Sequence, residues 1–370
     1  MIRFDFISVL IFVGIFQALF LATALVVKKS DRLVSNRILA VFLLILAAVQ
    51  GFVYLYRSTQ IISVPHLMRT EIPLLLLLGP TLLVYVESMT SRDFNLRLKK
   101  RLPHLLPAIG YAAYLTPFYL QHAEGKISTY YSAAIANPGI WDLDISVAMI
   151  HLLVYVVLVA RGLIQHKRNL ELYFSSLAGI NLNWIRNLLI GIGLVWMAMT
   201  VHYTYPMPFC NVVFSSMITS LVFYVGFKGL TQPEIFSAEH NALATSKYTT
   251  SALTPEMAEN LVAKLQDFMA SKKPHLDYLC TLPKLAKQLA VSPHHLSQVL
   301  NELHQQNFFG FINQHRIEVA TKLLADPSKR HFTIAGIASE AGFNSVSAFN
   351  AAFKRQTGVT PSQFKKQATA

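Results

Sequence analysis

Apolar residues are distributed along this chain in two regimes. Up to about residue 228 they form long uninterrupted runs, and from about residue 254 they recur every three or four positions between polar residues. Residues 6–27, 38–56, 72–86, 102–121 and 145–160 carry no charged side chain. A bilayer-crossing helix needs about 20 mainly apolar residues, so each run predicts one crossing. The third reaches that length when extended from Ile72 to Met89, with Glu87 at the headgroups beside a basic residue of the following loop. The longest uncharged run, 187–227, would measure roughly 60 Å as a single helix, about twice the hydrocarbon thickness. It must turn back once, and Tyr203, Tyr205, Pro206 and Pro208 supply the turn. Proline lacks the N–H that a continuing helix needs, and tyrosine favours the membrane interface. The pattern predicts seven transmembrane helices over residues 1–228.

The second regime is different in kind. Gly229–Ser251 is rich in Thr, Ser and Ala without a sustained apolar period, which predicts a linker over 229–253. Thr254 and Pro255 then mark a helix start, and Met257, Leu261, Leu265 and Phe268 form one apolar face. That face suits packing on its own domain or pairing with a second copy in a homodimer. Leu282, Leu285, Ala286 and Leu289 form the buried stripe of a short helix, broken at Val291, Ser292 and Pro293. Leu296, Val299, Leu300 and Leu303 form the stripe of the next. The arrangement returns downstream, with Ile334, Ile337, Ala338 and Ala341, a turn at Gly342 and Phe343, then Phe349, Ala352 and Phe353. Leu282 to Ile334, Ala286 to Ala338 and Val291 to Phe343 are each 52 residues apart, whereas Leu296 to Phe349, Val299 to Ala352 and Leu300 to Phe353 are each 53. One residue has been added in the second turn. Alanine at 286 and 338 fits two helices crossing steeply, where there is room for little more than a methyl group. The expected fold class is all-α, a seven-helix transmembrane bundle (1–228) followed by a tandem helix-turn-helix domain (254–370).

Composition strengthens the membrane reading. Of 370 residues, 53% are hydrophobic and 14% charged, where soluble domains carry charge on about a quarter. Basic residues decide orientation, since Lys and Arg in short loops stay on the cytoplasmic side. The first loop holds Lys28, Lys29, Arg32 and Arg37, the third Arg92, Arg97, Lys99, Lys100 and Arg101, and the fifth Arg161, Lys167, Arg168 and Arg186. The N-terminus and the even loops hold only Arg3, Arg57, Arg69 and Lys126. Thirteen against four puts the N-terminus outside and the C-terminal domain in the cytoplasm. The first run, with no small-residue cleavage site after Lys28, reads as a retained anchor.

Candidate chemistry is sparse. Cys210 and Cys280 fall on opposite sides of the bilayer and cannot pair. No zinc spacing, nucleophile elbow, phosphate-cradling glycine loop or metalloprotease helix pair is present, so neither enzyme activity nor a cofactor or metal is expected.

The stretch LPKLAKQLAVSPHHLSQVLNE, the joining NFFGFINQHRIEVATKLL and the closing FTIAGIASEAGFNSVSAFNAAFKRQTGVTPSQFKK resemble the AraC/XylS family of bacterial transcription regulators over roughly residues 254–367. LGPTLLVYVESMT, the basic loop and LPHLLP look like the seven-helix sensor half of membrane-bound members of that family. The resemblance implies that the second helix of each unit enters the major groove of double-stranded DNA, and that RNA polymerase is a partner. It also implies that Phe308–Leu324 is the connector setting the two units one DNA turn apart, with Phe308, Phe311, Ile312, Ile317, Ala320 and Leu324 packing against both. Relatives often have glycine where Gln305 stands, and arginine at the positions of Gln298 and Ala351.

On the first reading helix, His294, His295, Ser297, Gln298 and Asn301 are placed to meet base edges or phosphates, with Gln298 suited to adenine. The second offers Val346, Ser347, Ala348, Asn350, Ala351 and Lys354, a less polar face, so Ser347, Asn350, Lys354 and Arg355 are expected mainly to hold backbone. Residues 280–370 hold ten basic and four acidic residues, a net of +6 that suits a phosphate partner. In the membrane half, His151 and His202 fall in the outer halves of their helices, and Arg69, Glu71, Trp141, Asp142 and Asp144 lie at or outside the outer face. These groups suit a pocket for an unidentified small-molecule or envelope signal, although histidines there also serve as bundle or interface residues. The leading reading is a membrane regulator of transcription. A transporter with an autoregulatory DNA-binding tail is the alternative, because Pro73, Gly79 and Pro80 are expected to interrupt the third helix.

Overall fold

The computed structural model describes residues 5–29, 33–91, 94, 98–136, 143–177, 180–204, 208–232, 253–302 and 305–369, and every regular element among them is helical. The chain divides into two compact units, one of residues 1–164 and 182–234, the other of residues 165–181 and 235–370.

The first unit contains α1 (Phe6–Val27), α2 (Leu33–Arg57), α3 (Glu71–Thr90), α4 (Leu98–Tyr114), α5 (Thr116–Tyr119), α6 (Ala123–Ala136), α7 (Leu143–Tyr173, as far as Ile164 in this unit), α8 (Asn183–Thr204) and α9 (Pro208–Thr231). Asp5 caps α1 by accepting from the Ser8 amide at 2.9 Å and pairs with Arg57 at the end of α2 at 2.5 Å, so these two helices run antiparallel. Small residues set the closest approaches, as packing between apolar helices in lipid requires. A Cβ on Gly79 would lie 2.7 Å from the Tyr155 ring, and a Cβ on Gly226 would overlap Leu21.

Six stretches among the described residues are long and apolar enough to cross a membrane: Phe6–Val27, Leu33–Arg57, Pro65–Thr90, Asp144–Tyr173, Asn183–Val201 and Val212–Thr231. The expected crossing at 102–121 is absent from this set, because the helix there, α4, is 17 residues long with Pro103 and Pro107 inside it. Its course is nevertheless defined by a contact at each end. Arg101, near its start, pairs with Glu87 near the end of α3, as the sequence suggested for Glu87. Tyr111, near its end, accepts from Arg69 just before α3 at 3.3 Å. Arg69 also pairs with Asp144 at the start of α7. Hence α4 runs back along α3, and α3 and α7 begin at the same end.

Two expectations are corrected. α3 is continuous from Glu71 to Thr90 through Pro73, Gly79 and Pro80, so it is not the broken helix on which the transporter alternative leaned. Pro73 lies in the first turn, where its missing N–H has no intrahelical partner to lose. α9 continues past Lys228 to Thr231, so the expected linker begins helical, and most of it (233–252) lies outside the described residues.

The second unit is built from α10 (Pro255–Lys272), α11 (Leu282–Gln288), α12 (Pro293–Glu302), α13 (Phe308–Ala325), α14 (Ile334–Glu340), α15 (Val346–Thr357) and α16 (Pro361–Thr369), with residues 165–181 beside them. Its caps repeat as the apolar positions do. Thr281 and Thr333 cap α11 and α14 by accepting from the amides three residues on, and Ser292 and Ser345 do the same before α12 and α15. Such caps satisfy amides that the first helical turn leaves without partners. The turns match too: the Val291 amide donates to the Ala286 carbonyl at 3.0 Å and the Phe343 amide to that of Ala338 at 2.9 Å. Both turns pass through the left-handed region, at Ala290 with φ 55° and at Gly342 with φ 85°. Gln305 is left-handed as well, with φ 50°.

α13 serves two cores. Phe308, Phe311 and Ile312 are buried with Leu282, Leu285, Ala286, Leu296, Val299 and Leu300, whereas Ile317, Ala320 and Leu324 are buried with Ile337, Ala338, Phe349, Ala352 and Phe353. α10 packs Leu261, Leu265 and Met269 into the first of these cores. Met257 is 45% exposed and does not join that face, while Leu303 lies outside the described residues.

Candidate nucleic-acid interface

The outward face of α12 presents His294 and Asn301 fully, with Ser297 and Gln298 half-buried. Gln298 donates to Glu302 at 3.0 Å and Asn301 to Ser297 at 3.4 Å, one helical turn away in each case, so these side chains are aligned along a single ridge. His295 is not on that face. It is only 9% exposed, and the expectation that it lies on the exposed side of this helix is corrected. The apolar stripe of this short helix is wide enough to take in the residue preceding Leu296.

On α15, Val346, Ser347, Ala348, Asn350, Ala351, Lys354 and Arg355 are all exposed, as the periodicity predicts. The Arg355 guanidinium lies 5.8 Å from the centre of the Phe309 ring, which steadies it against the connector while leaving its edge open. The helix buries Phe349, Ala352 and Phe353, so its polar side is turned away from the second core.

Not every basic residue of this unit is free for phosphate. Lys365 donates to the Arg330 and Phe332 carbonyls at 3.0 and 2.7 Å, and Lys284 pairs with Asp277 at 2.5 Å. Arg316, in the middle of α13, is 1% exposed. Its Nε donates to the His275 carbonyl at 2.7 Å, Nη1 to the Ser175 carbonyl at 2.9 Å and to Asn313 Oδ1 at 3.4 Å, and Nη2 to Ser175 Oγ and the Asp277 carbonyl at 3.0 Å each. Burial draws its pKa down to about 10, which still leaves it charged at neutral pH. Burial first, then His315, Arg316 and Lys273, push His275 down to about 4, so it is neutral there. The buried Cys280 thiol is pushed up to about 11 and is unreactive at neutral pH. Sequence reasoning missed Arg316, whose charge was counted with the DNA-facing ones. Nothing in the local pattern separates it from them, because its acceptors are mostly carbonyls distant in the chain.

In the membrane half, the structure brings some of the expected outer polar groups together. Arg69 pairs with Asp144, its amide donates to Tyr56 Oη at 3.0 Å, and Tyr56 Oη donates to Glu71 at 3.1 Å. Trp141 and Asp142 lie outside the described residues, and so does the side chain of His202 on α8. His151 sits 4.9 Å from Tyr155, ring to ring, and Tyr155 Oη is 2.8 Å from His104 Nδ1. His104 and Tyr155 were not singled out in the sequence. His151's ring nitrogens are buried without a hydrogen-bond partner among the described residues.

Residues 285–367 match the family model described as a helix-turn-helix domain. The match covers most of the region carrying the resemblance to AraC-type regulators and supports it there, marking this part of the chain as DNA-binding. No curated protein and no solved structure matches the chain.

Proposed function

We propose that this chain is a membrane-embedded one-component transcription regulator, in which two helix-turn-helix units read duplex DNA under the control of a signal sensed by the transmembrane half. The observation that carries the reading is the presence, in one chain, of apolar helices of membrane-crossing length and a helix-turn-helix domain. The duplicated caps and turns of α11–α12 and α14–α15 support the tandem arrangement, with α12 and α15 as reading helices and α13 as the spacer.

The contacts of α4 support a seventh crossing. Its 17 residues span roughly 25 Å, close to the hydrocarbon thickness. Because α3 and α7 begin at the same end, α4 is the segment that returns the chain between them. With seven crossings the basic first, third and fifth loops and the DNA-binding domain share one side. A phosphatase fused after Ala370 is expected to stay inactive in the periplasmic assay while a cytoplasmic reporter there is active; the opposite pattern would overturn the topology.

The faces of α12 and α15 support different work for the two units. Gln298 is suited to a bidentate contact with adenine, whereas α15 offers Ser347, Asn350, Lys354 and Arg355 chiefly for phosphate. In duplex-selection and titration experiments, Gln298→Ala should weaken the preferred sequence by about 1–3 kcal/mol and relax selection at one base pair. Asn350→Ala should weaken all sequences to a similar, smaller extent. Equal loss of sequence preference in the two variants would contradict the assignment.

A further inference from the structure

We propose that Phe174–Ser176, in the loop following α7, is a docking strap that clamps the two helix pairs in their DNA-reading arrangement, and that its release is how the membrane half lowers DNA affinity. The inference rests on the regulator reading above and adds the element that couples its two halves.

The strap is built into the second unit. Phe174 forms an antiparallel bridge with Thr281, the residue that caps α11. The Ser175 amide and Oγ both donate to the Cys280 carbonyl, at 3.3 and 2.6 Å, and Ser175 is 1% exposed. Arg316 completes the seat by donating to both the carbonyl and the Oγ of Ser175. On one side Asn307, the cap of α13, donates to Glu171 at 3.4 Å, and on the other Ser176 Oγ donates to Asn344 at 2.9 Å, in the turn leading into α15. Three consecutive residues and Glu171 thus touch the first pair, the connector and the second pair.

The same Arg316 holds the His275 and Asp277 carbonyls, and the turn at Gly342 packs directly on His275 and Leu276. Strap, connector and second turn therefore form a closed ring of contacts, and removing the strap opens it. A buried guanidinium needs an acceptor for each N–H, so loss of Ser175 leaves donors to be satisfied by water and loosens the ring. The strap's bonds to Arg316, Cys280 and Asn344, and Glu171's to Asn307, lie off the outward faces of α12 and α15. It leaves those faces open, which makes it a pre-organising clamp instead of a steric block. It is also the direct continuation of α7, whose first turn carries the Asp144 that pairs with Arg69. The strap is thus joined through the backbone to a helix of the membrane half.

The test uses the full chain in lipid nanodiscs, with duplexes selected by the wild-type protein from a random-sequence pool as the probe. In the Ser176→Cys, Asn344→Cys variant, mild oxidation should form a disulfide, and the locked protein should bind two-half-site duplexes within about threefold of wild type. The Glu171→Ala, Ser175→Gly, Ser176→Ala variant should bind them at least about tenfold more weakly, with a single half-site little affected. That half-site control shows that each pair is still folded. Failure to cross-link, loss of binding in the locked form, or wild-type affinity in the triple variant would each overturn the clamp. If wild-type protein selects no duplex at all, the regulator reading itself fails, and the clamp's DNA role with it.

Discussion

Gly342→Ala should destabilise the second helix pair by about 3 kcal/mol and abolish tight duplex binding. Two costs combine. At φ 85° a side chain carries a left-handed penalty of roughly 1–2 kcal/mol. The added methyl would also stand 2.6 Å from the His275 carbonyl oxygen and 2.8 Å from Leu276 Cα. Both are backbone atoms of the segment that Arg316 holds, so no flexible side chain can yield. Amide exchange of the purified full-length protein should show α14 and α15 opening more readily while α11 and α12 stay protected. The equivalent turn residue, Ala290, already has a side chain at φ 55°, and Ala290→Gly should be neutral or stabilising by up to about 1 kcal/mol. Unchanged protection in the Gly342 variant would show that the second turn is not seated as described.

Raising salt from 50 to 200 mM should weaken duplex binding by about 10³-fold if about six phosphates are neutralised, with a log–log slope of about −0.9 per phosphate. The exposed basic residues of this unit include Lys287, Lys322, Arg330, Lys354 and Arg355. Arg316 is excluded by burial and Lys365 is committed to backbone carbonyls. Lys354→Gln should flatten the slope by about one unit, as removal of one phosphate contact does, whereas Lys365→Gln should leave the slope unchanged. A flat salt response in the wild-type protein would rule out duplex DNA as the partner of this surface.

Much of the second unit was legible because helix burial is periodic and local. Leu282, Ala286, Leu296 and Val299, and their repeats Ala338, Phe349 and Ala352, were identified by spacing alone and are buried. The caps at Thr281, Ser292, Thr333 and Ser345 follow from side chains able to accept from the first turn. His295 was misplaced because a periodic stripe has no sharp edge on a short helix. The continuity of α3 was misread because proline and glycine weaken a helix only where neighbours do not hold it, and Gly79 is where Tyr155 packs. The seventh crossing was read from charge-free length, whereas the helix formed is shorter and defined by its end contacts with Glu87 and Arg69.

The order of apolar, basic and capping residues by itself determined that the chain has a membrane-length apolar half and a duplicated helical tail with one outward polar face per pair. Those properties depend on neighbours within a turn or two of one helix, and periodicity reports them directly. Only the tertiary structure decided that Arg316 faces inward, that Gly342 is pressed against His275, and that residues 174–176 lie on the tail instead of in an open loop. Each of these involves partners more than 60 positions apart for Gly342 and 141 apart for Arg316 with Ser175. Hydrogen bonds between such distant groups have no signature in local spacing, because any basic residue on a helix looks alike until the fold supplies its acceptors.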